Sequence, residues 1–258
     1  DSLVVEVTDH AGRTGLSECV AFATDWYLPE TLEHDAAVLQ HLLAPKVLSE
    51  TYLHPREAAA SLDAMVEAAA FPLARGALEP ALWDLYGKIV GKPLWKLVNE
   101  EASRGGAGGL SPRTLASVRS GVTVGAGAVV GLGTPRETVE AVKRCVEGGY
   151  RRVKLKVAPG GSAARVRAVR QAFPQLMVTL DANQSFGERD MDELRALDAC
   201  GAAWIEEPLD VSSVRHRGHG DDAFARLATL QRSLDTPLCL DESFTCPEEA
   251  YRALEHPE

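Results

Sequence analysis

Two lysines and three carboxylates are the residues of this chain best suited to chemistry. Lys154 and Lys156 lie in Val153-Lys154-Leu155-Lys156-Val157. Asp181 closes Thr179-Leu180-Asp181, Glu206 falls in Trp204-Ile205-Glu206-Glu207-Pro208, and Asp241 falls in Leu238-Cys239-Leu240-Asp241-Glu242-Ser243. Side chains two apart on a strand share a face, so an extended run here sets two ammonium groups side by side. Neighbouring ammonium groups disfavour each other's charge. That lowers the pKa of one and suits it to act as a general base, with Lys154 as the lowering neighbour of Lys156. Three carboxylates crowded into one mouth repel, and a hard cation resolves the repulsion. All-oxygen ligation favours Mg²⁺, with Mn²⁺ as the alternative. The plainer readings are a solvated basic stripe on an edge strand and a set of helix caps. Val153, Leu155 and Val157 argue against the first, because their alternation with the lysines expects helices over the other face. Three acids at successive strand ends argue against the second.

The elements that must position these residues follow a repeating strand–helix pattern. Strands are expected at 151–157, 177–181, 203–206 and 237–241, preceded by one at 121–125. Helices are expected at 163–172, 190–199 and 222–233, with a last one opening at Pro247. Thr134-Pro135-Arg136-Glu137 reads as a helix start, with Thr as N-cap, Pro at the first helical position and Glu closing a capping box. Asp181 and Glu206 are 25 residues apart, about one β/α repeat; Glu206 and Asp241 are 35 apart, a repeat plus an inserted loop at 212–222. The pattern suits an open doubly wound sheet or part of a β/α barrel. Gly125, Gly127 and Gly131 do not fit G-x-G-x-x-G, and no acid closes the following strand, so a nucleotide cradle is not expected. His216 and His219 read as solvated residues of the inserted loop, and Cys239 reads as core.

Residues 1–112 are expected to form a separate α+β unit, with 113–258 the β/α unit. A hairpin opens the first unit, with strands around Leu3–Val7 and Leu16–Ala21. Helices follow at 29–48, from His54, and from Phe71-Pro72 to Gly91. Pro80 is expected to kink the last of these or move its start. Residues 100–112 read as a linker. The net charge of −10 argues against a nucleic-acid surface, and no apolar run approaches a membrane span. Five cysteines without a C-x-x-C pair read as free thiols of a cytoplasmic protein with no leader.

The ordered set Lys-x-Lys, Asp181-Ala182-Asn183, Ile205-Glu206-Glu207-Pro208 and Leu240-Asp241-Glu242-Ser243 resembles the enolase superfamily, muconate-lactonizing subgroup. Ala77-Leu78-Glu79, Ala81-Leu82-Trp83-Asp84-Leu85 and Gly91-Lys92-Pro93-Leu94 are similar to that subgroup's capping domain. The resemblance implies a modified TIM-type (β/α)7β barrel, incomplete in this chain, behind an N-terminal α+β cap. It implies Mg²⁺ held by Asp181, Glu206 and Asp241, binding a substrate carboxylate and stabilising an enediolate. Lys156 is then the base that takes the α-proton, Lys154 its neighbour, and Asn183 a substrate contact.

The motifs lean toward o-succinylbenzoate synthases of menaquinone synthesis. N-acylamino acid racemases, dipeptide epimerases and muconate cycloisomerases are the alternatives of the same chemistry. A metal-binding homologue without turnover is the alternative of another class. Partners are expected to be a small carboxylate and a second copy of the chain in a homo-oligomer, with no nucleic acid and no membrane. The family's second lysine is expected beyond Glu258, and its first strand and specificity loop ahead of Asp1.

Overall fold

The structure, a computed structural model, describes residues 2–104, 125–211, 223–244 and 246–256. The expected domain boundary at 112/113, most of the linker, the strand residues 121–124 and the insertion carrying His216 and His219 lie outside the described residues. Two compact units are present, Asp1–Val122 and Thr123–Glu258.

In the first unit, β1 (Leu3–Thr8) and β2 (Thr14–Cys19) form an antiparallel hairpin with Leu3 opposite Cys19 and Thr8 opposite Thr14. Asp9 closes its turn by accepting the N–H groups of Ala11 and Arg13, both at 2.9 Å. The helical stretch that follows is α1 (Leu32–Val38), a π turn (Leu39–Leu43) and α2 (Ala44–Leu48). The π turn lies just before Pro45, which has no N–H to continue the α-helical ladder. Helix α3 (Pro55–Asp63) starts where expected, with His54 as N-cap. Helix α4 (Pro72–Val90) ends on Gly91, whose φ of 66° is left-handed.

Helix α4 starts where the sequence placed it and is continuous through Pro80. Its buried face of Ala74, Ala77, Leu78, Ala81 and Leu85 packs into the unit's core, and that burial outweighs one missing backbone bond. The hairpin lies so close to α4 that a Cβ on Gly15 would stand 2.1 Å from the Ala81 carbonyl oxygen. Glu30 caps the helix start by accepting the Leu73 and Ala74 N–H groups. Helix α5 (Leu94–Arg104) follows, so residues 100–104 of the expected linker are helical.

The second unit is a parallel sheet whose strands lie side by side in chain order: β3 (Gly127–Val130), β4 (Arg152–Lys156), β5 (Met177–Asp181), β6 (Ile205–Glu206) and β7 (Leu238–Cys239). Sequential order is that of a β/α barrel; a doubly wound sheet reverses direction at its first strand. In the first described strand, Val129 and Val130 pair with Lys154 and Leu155. Between the strands run α6 (Pro135–Glu147), α7 (Ser162–Ala172), α8 (Met191–Asp198) and α9 (Ala223–Gln231), and α10 (Pro247–Ala253) follows β7.

The capping box of α6 forms as read: Thr134 Oγ1 accepts the Glu137 N–H and Glu137 Oε2 accepts the Thr134 N–H. Val142, Val166, Val169, Leu194 and Leu197 from the helices join Val153, Leu155, Val178, Leu180 and Ile205 from the strands in one core. Helices therefore cover that face of the sheet, and the alternate residues of β4 and β5 project from the other. Among the described residues no helix is long and apolar enough to cross a membrane.

Candidate active site

Register brings the chemical residues together. Lys156 pairs with Asp181, Asp181 with Glu206, and Glu206 with Cys239, so one row crosses four parallel strands on the face away from the helices. Lys154 stands one step below in the same column as Lys156. Its ammonium lies 2.7 Å from Glu206 Oε1 and 3.0 Å from Asp181 Oδ2, bridging the two acids. Lys156 Nζ lies 2.7 Å from Asp181 Oδ2 and 2.5 Å from Asn183 Oδ1. The side chain of Asp181 is 1% exposed, whereas those of Lys154 and Lys156 are 30% and 34% exposed. The lysines thus reach from the mouth down onto a buried acid.

The geometry sets the charge of Lys154. Burial pulls the Lys154 ammonium down, but its hydrogen bonds to Glu206 and Asp181 more than offset that and hold its pKa above the ordinary lysine value. Lys154 is a charged clamp between carboxylates, and repulsion between the two lysines does not govern it. Burial likewise pushes the Asp181 carboxyl up, and the bonds from Lys156 and Lys154 outweigh it to leave the pKa below the usual 3.8.

Past β5 the chain turns sharply: Asn183 and Gln184 are non-glycine residues with φ of 42° and 59°. Such backbone costs about 1–3 kcal/mol per residue and is held by its surroundings. Asn183 is held at three points. Its N–H donates to Asp181 Oδ1 at 3.2 Å, its Oδ1 accepts from Lys156, and its Nδ2 donates to Glu242 Oε1 at 2.7 Å. From behind the sheet, buried Arg165 donates to the Lys156 carbonyl (3.0 Å), the Gly131 carbonyl (2.7 Å) and Thr138 Oγ1 (3.0 Å). Burial lowers the pKa of this guanidinium. Its three bonds fix the end of β4 beneath the Lys156 side chain.

Asp241 stands two residues past Cys239, and it is exposed. Among the described residues, no three His, Cys, Asp or Glu side chains are gathered at the spacing of a metal centre. The donor chemistry nonetheless suits a hard divalent ion: two buried carboxylates share one cation, the Lys154 ammonium, and a third carboxylate lies just past the end of the next strand. Cys239, read from sequence as core, is half-buried in the row of Lys156, Asp181 and Glu206. In this strand Leu238 takes the core position. Burial, followed by the charge of Glu206 and Asp241, pushes the Cys239 thiol's pKa up.

Sequence reasoning missed Glu207, Gln184, Glu242 and Arg165. Glu207 is fully buried, with a left-handed φ of 40°. The one signal available was its doubling with Glu206 directly before Pro208.

Comparison with known proteins agrees with this architecture. A family described as "Enolase C-terminal domain-like" matches residues 137–257, and one described as "Mandelate racemase / muconate lactonizing enzyme, N-terminal domain" matches residues 1–99. An o-succinylbenzoate synthase of Geobacillus stearothermophilus is 34% identical over 253 residues, 98% of this chain and 59% of that protein. An N-succinylamino acid racemase of Thermus thermophilus is 34% identical over 247 residues, 95% of this chain and 58% of its own length. The solved structure of a probable mandelate racemase from Alicyclobacillus acidocaldarius superposes with a TM-score of 0.76 at 32% identity, over 99% of this chain and 61% of that one. The chain thus spans about three-fifths of the length of these relatives.

Proposed function

The chain belongs to the enolase superfamily, in its mandelate racemase / muconate lactonizing enzyme branch, and from that premise we propose that the protein abstracts a proton alpha to a carboxylate. The observation that carries the proposal is the convergence of a lysine pair and an acid row on one mouth of a parallel sheet, with Lys156 Nζ 2.7 Å from Asp181 Oδ2. Asp181, Glu206 and Asp241 would hold Mg²⁺, the hard cation that this donor set favours. Bound there, the metal supplies positive charge against the negative charge that builds on the substrate carboxylate as the α-proton leaves.

The remaining work falls to side chains. Lys156, in its neutral form, takes the α-proton at Nζ, and Asn183 and Asp181 orient that atom. Lys154 stays an ammonium and adds a second fixed positive charge at the mouth. Asn183, tied to both Lys156 and Glu242, faces the substrate at the rim.

The reaction we favour is that of an o-succinylbenzoate synthase, a dehydration initiated by this proton removal. Racemisation of N-succinylamino acids is the second reading, supported by the Thermus relative at equal identity and using the same base. Two assays on the full-length protein with Mg²⁺ separate them: formation of o-succinylbenzoate, and replacement of the α-proton of an N-succinylamino acid by solvent deuterium. Lys156→Ala is expected to slow whichever reaction occurs by about 10²–10⁴-fold. Undiminished turnover in that variant rules out Lys156 as the base.

A further inference from the structure

We propose that Glu207 is a positioning residue that locks the Asp241 strand end to the Asn183 turn, so that the metal-binding mouth is set before any metal arrives. The inference rests on the reading of Asp181, Glu206 and Asp241 as metal ligands.

Four donors converge on the Glu207 carboxylate. Oε1 accepts the N–H groups of Asp241 and Ser243, each at 2.7 Å. Oε2 accepts Ser243 Oγ at 2.9 Å and Gln184 Nε2 at 3.0 Å. None of these donors belongs to its own strand: Gln184 follows β5, and Asp241 and Ser243 follow β7. The backbone joins the same three strand ends, with Glu207 N–H donating to the Cys239 carbonyl (2.9 Å) and the Gln184 N–H donating to the Glu207 carbonyl (2.7 Å).

A buried carboxylate is costly unless its lone pairs are filled, and here hydrogen-bond donors from the neighbouring loops fill them. Glu207 also pays for a left-handed φ of 40° ahead of a proline, a conformation that only a surrounding network can hold. A group that served stability alone would be met as well by an apolar side chain. What a carboxylate adds is a fixed address for two backbone N–H groups, one of them that of Asp241 itself. Glu207 thus sets where Asp241 stands relative to Asp181 and Asn183. Partners that orient ligands in this way typically change metal affinity by about 10–100-fold when removed.

The test uses the full-length protein and two readouts. In the metal-free state, hydrogen exchange of the Asp241 and Ser243 amides is compared with that of core amides such as Val153. Glu207→Leu is expected to speed the first two at least tenfold while leaving Val153 unchanged. Mg²⁺ titration by calorimetry is expected to show affinity weakened by about 10–100-fold. Glu207→Gln keeps an acceptor for both N–H groups and is expected to stay within about threefold of wild type on both measures, since only the Oε2 side must rearrange.

If Glu207→Leu does not fold, the double variant Gln184→Met/Ser243→Ala strips Oε2 of its donors and is expected to weaken Mg²⁺ by about tenfold. Unchanged exchange and unchanged Mg²⁺ affinity in whichever of these variants folds overturns the proposal. Wild-type protein that binds no Mg²⁺ overturns the metal centre instead, and the metal-free exchange comparison still decides the role of Glu207.

Discussion

Lys154→Met is the most informative single perturbation, because it separates a clamp from a base. The Lys154 ammonium sits between Asp181 and Glu206, whose side chains are 1% and 9% exposed. Methionine keeps most of the stem and removes the charge, which leaves two nearly buried carboxylates facing each other. Breaking a buried ion pair costs about 3–5 kcal/mol, and two features reduce that here to about 2–3 kcal/mol. Lys154 is itself partly solvated, and Lys156 still neutralises Asp181 at 2.7 Å. For a chain of this size such a loss lowers Tm by about 4–12 °C. Calorimetric melting in EDTA reads it directly.

The same melt in excess Mg²⁺ is the discriminating arm. If the two acids are metal ligands, a divalent cation supplies the missing positive charge, and most of the lost stability returns. A Glu206→Gln partner variant completes a double-mutant cycle, with a coupling of about 1–3 kcal/mol expected in EDTA and little in Mg²⁺. Lys154→Met melting within about 1 °C of wild type in EDTA refutes the clamp, by the same conversion of free energy to Tm. An equal deficit with and without Mg²⁺ refutes the metal reading of the two acids.

Two further outcomes follow from other parts of the molecule. The Asp181 pKa is depressed in the folded state, so its contribution is present above the unfolded value near 3.8 and is lost as pH falls through the folded value. Metal-free protein is therefore expected to lose stability below about pH 4, and Asp181→Asn, weaker at neutral pH, to lose less over that window when both are followed by denaturant titration. In the first unit, a Cβ at position 15 would meet the Ala81 carbonyl oxygen at 2.1 Å. Gly15→Ala is expected to destabilise the hairpin–α4 contact by about 1–3 kcal/mol, measured by chemical unfolding, and a neutral result would mean that the contact is slack.

The legible part of this fold was the part written locally. Alternation of Val153, Leu155 and Val157 with the lysines fixed which side of β4 meets the helices, and Thr134 with Glu137 marked the start of α6 to the residue. Strand order was not local: the sequence allowed a doubly wound sheet or a barrel, and only the pairing of each strand with its successor decided it. The strand at 127–130 was not picked out in sequence, because Gly-Ala-Val-Val is a short run beside Gly125 and Gly131. The cost of one backbone bond at Pro80 is visible in sequence, whereas the burial of Ala77, Leu78 and Ala81 on the same helix depends on what packs against it, the hairpin at Ala81 included. Glu207 was invisible for a similar reason. A glutamate next to a proline looks like surface, and the donors that make it a core residue come from 23 residues before and 34 and 36 after.

The charge balance of the mouth ties these observations to the proposed chemistry. Lys154 and Lys156 match Asp181 and Glu206 one for one, so without metal the four charges close on one another. A free base requires the acids to have another partner. The Mg²⁺ proposed at Asp181, Glu206 and Asp241 would be that partner. In the proposed reading the metal would join Lys154 as a counter-charge for one acid pair. The consequence is specific: base function at Lys156 should depend on metal more steeply than substrate binding does. Asp241 is the residue on which that dependence turns: among the described residues no lysine pairs with it, and its position is set from beneath by Glu207.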